Sequence, residues 1–295
     1  MASVQSTPKT GSVSASTKSD PSLTVEVITY DTYKSAAKCL LNAFVDDTLD
    51  KYLFNHIKDH RQRHKAELAL YEAYLYSHIL RGGLCLGTRK NSTSSSSSSS
   101  SDASDSEVSD FSCVSIWAPP DLIIEDGYLT LIRSGYLRVA WLSGFEGFKK
   151  IFTQLFNVLS NTKDRVLGDD NKYTWSLIYI GTDVDSRGKG YAKHLINYMF
   201  KHYIDNNNYL TYLESSATSN IPIYKKFGFE HITDVYVYNH NSDLSLERIN
   251  NTNSKVINGK LGVNYGRLDI MVRGSNKGKT PWKKGEIFKI HNDTN

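Results

Sequence analysis

Cysteine and long hydrophobic runs are both scarce in this chain, and each shortage excludes a class of protein. Three cysteines, Cys39, Cys85 and Cys113, occur among 295 residues, and no two of them form a CxxC pair. So sparse a set argues against a disulfide framework or a structural zinc site, and it favours a reducing compartment. No apolar run approaches the ~18 residues of a membrane span. We therefore expect a cytoplasmic protein, with the nucleus as the alternative, and no membrane partner.

A strong excess of one charge sign is also missing. The chain has 35 basic and 31 acidic residues, a net charge of +4. A dedicated nucleic-acid-binding protein usually carries a steeper basic excess or a basic stripe, so no nucleic-acid partner is expected. The nine histidines also lack the spacing of a metal site, because no carboxylate or cysteine completes the set His56, His60 and His64. We therefore expect no metal.

Polar stretches divide the chain into segments. Residues 1–22 are rich in Ser, Thr and Lys and are predicted to form a disordered tail. Low-complexity inserts at 91–110 and 239–260 each lie between strand-like runs, as at extended hairpin tips. The serine-rich first insert is either a phosphorylated regulatory loop or a tract without function. The remainder is predicted as one domain over 23–274, followed by a loose basic tail at 275–295.

Strand-like and helix-like patterns alternate within that domain, which predicts an α/β or α+β sheet protein. The apolar content, 39% of the residues, is sufficient for a core. Residues 31–52 are predicted to form one helix with Asp31 as its N-cap. Further helices are predicted at 60–80, within 127–159, at 188–203 and at 221–227. Strands are predicted at 23–30, 83–88, 111–117, 175–182, 209–215, 234–238 and 265–272.

A glycine-rich loop, RGKGYA at residues 187–192, follows one predicted strand and begins a helix. Glycine lets a ligand approach the backbone closely, and the first turn of a helix offers unpaired N–H groups. Together they suit a phosphate or pyrophosphate group. The loop lacks the GKS/T of a P-loop and the third glycine of the dinucleotide fingerprint. By itself it is equally compatible with an ordinary glycine-rich turn.

The same loop resembles the acyl-CoA-binding motif Q/R-x-x-G-x-G/A of the GNAT superfamily of N-acetyltransferases. Three other matches follow the order of that family: AFVDD at 43–47, WAPP at 117–120, and a strand, an Asn and a Y-x-x-x-G-F helix within 212–229. The combination resembles the puromycin N-acetyltransferase branch in particular. The resemblance extends from about residue 23 to residue 272, interrupted by the two inserts.

This resemblance implies a fold and a co-substrate. The fold is a mixed, bent sheet of about seven strands flanked by helices, whose two central parallel strands splay apart to admit acetyl-CoA. Backbone groups of Ile180 would face the acetyl carbonyl and Thr182 would pair with the pantetheine. Thr182 stands where the family usually has Val, and Val184 where Pro is common, but neither change removes a backbone hydrogen bond. The cofactor-binding residues so implied are Ile180, Gly181, Thr182, Arg187, Gly188, Lys189, Gly190, Tyr191, Ala192 and Asn220.

Acetyl transfer to an amine needs a neutral amine, a stabilised carbonyl oxygen and a protonated leaving thiolate. Tyr224 matches the family's tyrosine and is the predicted general acid, although a packed aromatic is the alternative. Glu214 is the predicted base, directly or through a water, with a salt-bridged strand residue as the alternative. An N–H of a bulged strand near Ile180 would stabilise the tetrahedral intermediate.

The amine acceptor is the least specified part of the prediction. Asp46 and Asp47 border the acceptor region in the family and would attract a cation, unless they form a solvated helix end. Trp117 and Trp175 either wall the acceptor pocket or pack in the core. We predict transfer to a small-molecule amine, a xenobiotic or an amino metabolite, by a monomer or homodimer. Protein lysine or N-terminal acetylation and a non-catalytic acyl-CoA sensor remain the alternatives.

Overall fold

The computed structural model describes residues 23–89, 109–120, 122, 132–239 and 259–292. The predicted tail at 1–22 and most of both inserts lie outside these residues. Seven strands form one sheet in the order β1-β2-β3-β4-β5-β7-β6, in which β4 and β5 are parallel and the other neighbours antiparallel. The predicted mixed sheet is confirmed. The strands are β1 Val25–Val27, β2 Leu84–Arg89, β3 Phe111–Ala118, β4 Thr174–Thr182, β5 Leu210–Ser215, β6 Phe229–Tyr238 and β7 Tyr265–Arg273.

Helices flank the sheet on both faces. In the part of the chain that the structure describes, no helix is long and apolar enough to cross a membrane. Two π-helical segments occur: Lys149–Leu155 joins α4 to α5, and Phe200–Ile204 extends α6. The helices are α1 Tyr33–Ala43, α2 Thr48–Phe54, α3 His60–Leu80, α4 Tyr136–Phe148, α5 Phe156–Leu167, α6 Tyr191–Met199, α7 Ile221–Lys225, α8 Ser275–Gly278 and α9 Glu286–Asn292.

Two apolar cores lie on opposite faces of the sheet. On one face, residues of α1 to α5 pack on the sheet around Tyr179. On the other face, residues of α6 and α7 pack around Ile180. Tyr179 and Ile180 are neighbours on β4, and their side chains separate because successive strand residues point to opposite faces. We call these the α3 face and the α6 face.

The predicted helix over 31–52 is wrong in one respect, because the chain forms two helices there. The Asp47 carboxylate accepts hydrogen bonds from the N–H groups of Leu49 (2.8 Å) and Asp50 (3.2 Å) and so caps α2. The predicted N-cap Asp31 is also wrong: Thr32 holds that position of α1, and its side chain makes no capping bond. The break between the helices places Asp47 beside Ser216, directly after the end of β5.

The parallel pairing of β4 with β5 ends before β4 does. It covers residues 174–177 of β4 and 210–213 of β5, whereas β4 continues along β3 to Thr182. A β-bulge at Ile178 shifts the β3–β4 register between Leu177 and Tyr179. In the described sheet, the β5-facing edge of β4 beyond Leu177 therefore has no strand beside it, which is the predicted splay.

The C-terminal segment differs from the loose tail that its charge suggests. The buried Asp170 carboxylate accepts hydrogen bonds from the Trp282 indole (3.2 Å) and from the N–H groups of Gly285 (2.7 Å) and Phe288 (3.0 Å). The side chain of Ile287 is also buried. The segment from Trp282 to Phe288 thus packs on the domain, with the Asp170 carboxylate as one of its anchors.

Gly181 should be needed for the packing of α1 on β4. A Cβ at Gly181 would lie 2.7 Å from the Ala43 Cβ and 3.0 Å from the Phe44 ring. We expect Gly181→Ala to lower the free energy of unfolding by ~1–3 kcal/mol through overpacking, measured by urea denaturation. A variant as stable as the wild type would contradict this view of the helix–strand contact.

Candidate active site

The glycine-rich loop forms one wall of a cavity at the start of α6. Gly188 and Gly190 have φ values of +76° and +84°, in the left-handed region that favours glycine. A Cβ at either position would meet nothing within 4 Å. Both line a cavity of about 440 Å³ between α6 and α7, together with Thr182, Tyr191, Ala192, Ile223 and Phe227.

The first turn of α6 directs backbone donors toward this cavity. The first helical bond of α6 joins the His194 N–H to the Gly190 carbonyl at 3.0 Å, so the preceding amides have no partner within the helix. The Arg187 guanidinium donates to the Ala43 carbonyl at 3.0 Å, and the Lys189 ammonium donates to the Asp185 carbonyl at 2.9 Å. Arg187 therefore ties the loop to the end of α1 while remaining part of the cavity wall.

The C-terminal end of β4 forms the neighbouring wall of the cavity. The Thr182 hydroxyl donates to the Cys113 sulfur at 3.3 Å and lies at the cavity. The side chain of Ile180 is fully buried in the α6-face core, so only its backbone could meet a ligand. Gly181 is covered by α1, as its close contacts show. Of the three β4 residues predicted for the cofactor, Thr182 therefore lines the cavity, whereas Ile180 and Gly181 do not.

Tyr224 lies on α7, between the cavity-lining residues Ile223 and Phe227. Its side chain is fully buried, and its hydroxyl has no hydrogen-bond partner among the described residues. Burial raises the pKa of this phenol well above its ordinary value, so the hydroxyl keeps its proton. Asn220 is buried directly before α7. An orphaned buried hydroxyl calls for a ligand or water to complete it.

Three buried carboxylates lie on the α3 face. Asp47 accepts a hydrogen bond from Ser216, which follows β5, and Asp50 accepts one from Tyr71 on α3. Glu214 on β5 accepts a bond of 2.8 Å from Tyr212. These contacts connect α2, α3 and β5 near the point where β4 and β5 separate.

Burial dominates the electrostatics of these three groups. It raises the pKa of Asp47, Asp50 and Glu214, and the neighbouring Asp47 raises that of Asp50 further. The hydrogen bonds from Ser216 and Tyr212 oppose the shifts in Asp47 and Glu214, because they stabilise the ionised carboxylate. This face is therefore suited to accept a proton or a cation.

Three predicted acceptor residues are not brought to that face. Asp46 is exposed and pairs with Lys51 at 3.0 Å. Trp117 and Trp175 are buried in the α6-face core, where Trp117 donates to the Ser115 hydroxyl at 3.0 Å. Both tryptophans lie across the sheet from Asp47, so the structure gives them the packing role that was the alternative.

Sequence reasoning missed Asp50, Tyr71 and Ser216, which hold or extend the buried acidic cluster. Asp50 was detectable as a lone charge within the apolar face of α2. Tyr71 and Ser216 had no local signal, because their partners are 21 and 169 residues away. Within the described ranges, no group of three His, Cys, Asp or Glu residues could hold a metal ion.

The comparisons with known proteins agree with this geometry. A family model described as an acetyltransferase (GNAT) domain matches residues 167–232, which contain β4, the loop, α6, β5 and α7. An uncharacterized N-acetyltransferase of Schizosaccharomyces pombe is 34% identical over 215 residues, covering 73% of this chain and 77% of that protein. The chain therefore belongs to the GNAT family and is an N-acetyltransferase. The puromycin-like branch stays a prediction.

Solved structures similar to this chain include two acetyltransferases. One is arylalkylamine N-acetyltransferase 2 from Aedes aegypti, with 16% identity, a TM-score of 0.49, and coverage of 86% of this chain and 99% of that one. The other is described as histone acetyltransferase HPA2 and related acetyltransferase from Corynebacterium glutamicum, with 16% identity and a TM-score of 0.47. The match covers 88% of this chain and 99% of that one.

The raised pKa of Glu214 predicts a pH-dependent stability. Its ionised form is less favourable in the folded than in the unfolded chain, so stability is greatest below the ordinary pKa of 4.5 and is lost as pH rises through the folded pKa. Glu214→Gln removes this loss. We expect the variant to gain stability relative to the wild type as the pH rises above the ordinary pKa of 4.5, measured by urea denaturation at a series of pH values. If the difference in unfolding free energy between variant and wild type did not change with pH, the burial of the Glu214 charge would be contradicted.

Proposed function

We propose that this N-acetyltransferase transfers the acetyl group of acetyl-CoA to the amine of a small molecule, a xenobiotic or an amino metabolite. One observation carries the proposal. The loop cavity lies on the α6 face, the buried carboxylates lie on the α3 face, and β4 and β5 separate between them. Two substrates could therefore reach the same stretch of β4 from opposite sides.

The residues on the α6 face fit acetyl-CoA. The amides at the start of α6 suit a pyrophosphate, and two left-handed glycines leave room for it. The edge of β4 beyond Leu177 can pair with an extended arm, as a strand would. The orphaned Tyr224 hydroxyl suits the sulfur end. When bound, acetyl-CoA supplies the acetyl group as a reactive thioester.

The chain's own groups would complete the chemistry on the α6 face. The backbone N–H of Ile180, two residues beyond the bulge, would stabilise negative charge on the acetyl oxygen. Tyr224 would donate its proton to the leaving sulfur, since burial keeps the phenol protonated. Both groups are held by buried secondary structure, so their positions are set before the substrates bind.

Glu214 would accept the proton of the incoming ammonium, directly or through a water. The raised pKa makes its carboxylate a stronger base than an exposed glutamate. The Tyr212 hydroxyl, at 2.8 Å, orients the carboxylate. Asp47 and Asp50 lie on the same face, and in their ionised form they would favour a cationic acceptor over a neutral one.

A small acceptor is supported by how closely this face is covered. Tyr136 of α4 and Phe156 of α5 pack on Tyr74, with ring centroids 6.1 Å apart, and Tyr74 packs on Tyr179 at 4.8 Å. Such close aromatic cover suits a metabolite, whereas an extended peptide needs an open groove.

A calorimetric titration with acetyl-CoA tests the co-substrate. We expect micromolar binding to the wild type and none to Gly190→Trp, because the indole would fill the cavity. Gly135→Trp is the matched control, since Gly135 has a similar φ of +90° and open space but lies at the start of α4. This control should bind like the wild type. A folded wild type that binds no acetyl-CoA would overturn the proposal.

Removal of the Tyr224 hydroxyl tests the proposed role of this residue as the general acid. We expect Tyr224→Phe to lower kcat by ~10²–10⁴ while leaving acetyl-CoA affinity nearly unchanged. Tyr203→Phe, which retains the ring packed at 5.7 Å on Trp175, should keep full activity. Thiol release with a panel of small amines and a lysine peptide is the assay. Undiminished turnover in Tyr224→Phe would refute the acid role, and a preference for the peptide would refute the small acceptor.

A further inference from the structure

The outward face of α4 carries an apolar surface that the transferase chemistry above does not use. Trp141 and Phe145 are 85% and 84% exposed, the largest exposed fractions among the large apolar side chains of the described residues. Leu137 and Phe148 on the same helix, and Ile132 just before it, are also exposed. We call these five residues the α4 patch. Apolar side chains gathered at one place on a surface mark a site of association, because their contact with water is unfavourable.

The inward face of α4 is already packed on the domain. Tyr136, Val139 and Ser143 are buried, and the Gln62 side chain of α3 donates to the Leu142 carbonyl at 3.1 Å. The inward and outward faces of α4 are thus both apolar. A helix that is apolar around its circumference is normally covered on every side. The α4 patch therefore calls for a partner beyond the residues that the structure describes.

A kink in α4 gives the patch a hollow beside its rings. Gly144 has a φ of +66° and a ψ of −173°, and a Cβ there would meet nothing within 4 Å. Ala140 and Gly144 line a shallow groove of about 410 Å³, together with Trp141, Phe145 and Phe148. The patch thus combines protruding rings with a groove between them. It can therefore supply both sides of a helix–helix contact, in which ridges pack into grooves.

The order of residues along α4 fits an antiparallel pairing of two copies. A two-fold axis across the middle of the helix places Trp141 of one copy opposite Gly144 of the other, so that a ring meets the groove. The same axis brings Arg138 of one copy toward Glu146 of the other, twice in each dimer. Both charged side chains are more than half exposed, although each has an ion-pair partner in its own chain. Shape and charge are thus complementary in the same arrangement.

The size of the α4 patch suits a stable dimer. At these exposures, Trp141 and Phe145 would each bury roughly 150–200 Å². With the other three residues of the patch, two copies would bury on the order of 1,000–1,300 Å² of apolar surface, which is enough for a specific interface.

We propose that this N-acetyltransferase forms a two-fold dimer through the α4 patch, with Trp141 of each copy in the groove at Gly144 of the other. The occupant is a second copy of the chain, because the rings, the groove and the two opposite charges lie on one helix in the order that self-pairing requires. The interface decides between the monomer and the homodimer that the sequence left open. It is separate from the loop cavity and from the buried carboxylates.

Sedimentation velocity of the full chain over a range of micromolar concentrations tests the dimer. We expect a dimeric wild type, and we expect Trp141→Ser/Phe145→Ser to weaken self-association by about 100-fold or more, because central aromatic side chains dominate interface energies. Both rings are exposed in the single chain, so this variant should keep the circular dichroism spectrum of the wild type. The control Val27→Ser/Val263→Ser changes two apolar side chains that are exposed elsewhere, and it should remain dimeric.

Charge reversal tests the antiparallel arrangement. Arg138→Glu sets two acidic side chains against each other at both contacts, and Glu146→Arg sets two basic ones, so each variant alone should dimerise about tenfold more weakly than the wild type. An equimolar mixture of the two should dimerise more tightly than either alone, because both contacts then join opposite charges. A mixture that associates no better than its components would refute this pairing.

Two other outcomes overturn the proposal. Dimers that persist in Trp141→Ser/Phe145→Ser would place the interface elsewhere on the molecule. A wild type that stays monomeric at every concentration would give the α4 patch another occupant. Binding of that monomer to phosphatidylcholine–phosphatidylserine vesicles would assign the patch to a lipid surface, and a failure to bind them would assign it to another segment of the same chain.

Discussion

Backbone pairing between β4 and β5 ends at Leu177 and Leu213, and both halves of the candidate active site depend on where that pairing ends. A strand edge left without a partner must be satisfied by something else, because buried backbone groups need hydrogen bonds. The bulge at Ile178 reorients β4 at the same point. An extended ligand arm can therefore replace the missing strand, while the gap gives the other face access to the same stretch of backbone.

The two faces that meet at this gap differ in charge. The α6 face presents helix-end amides and Arg187, which suit phosphate groups. The α3 face presents Asp47, Asp50 and Glu214, which suit an amine. In the proposed function, a polyanionic donor and a cationic acceptor would each be directed to their own side of the sheet. The sheet keeps them apart except where β4 and β5 separate.

Burial of the three carboxylates opposes folding, and the structure offsets that cost with specific donors. Ser216, Tyr71 and Tyr212 each donate a hydroxyl proton to one of them. An apolar side chain at position 47, 50 or 214 would be buried without needing a hydroxyl donor. The acidic cluster is therefore better explained by a role in the reaction than by a contribution to the stability of the fold. The Tyr224 hydroxyl on the other face is buried without a hydrogen-bond partner among the described residues, and it too is better explained by a role in the reaction than by stability.

Local pattern by itself determined the order of the seven strands, most of the helices and the loop over 187–192, because periodicity and glycine spacing are properties of neighbouring residues. The predicted roles of Tyr224 and Glu214 came from the resemblance to the family and not from local pattern. Only the tertiary structure decided which face each residue occupies. The bulge at Ile178 changes the alternation of β4, and Trp117 and Trp175 fall on the α6 face, away from the carboxylates. A one-residue shift of register exchanges the two faces of a strand, and contacts between distant segments set that register.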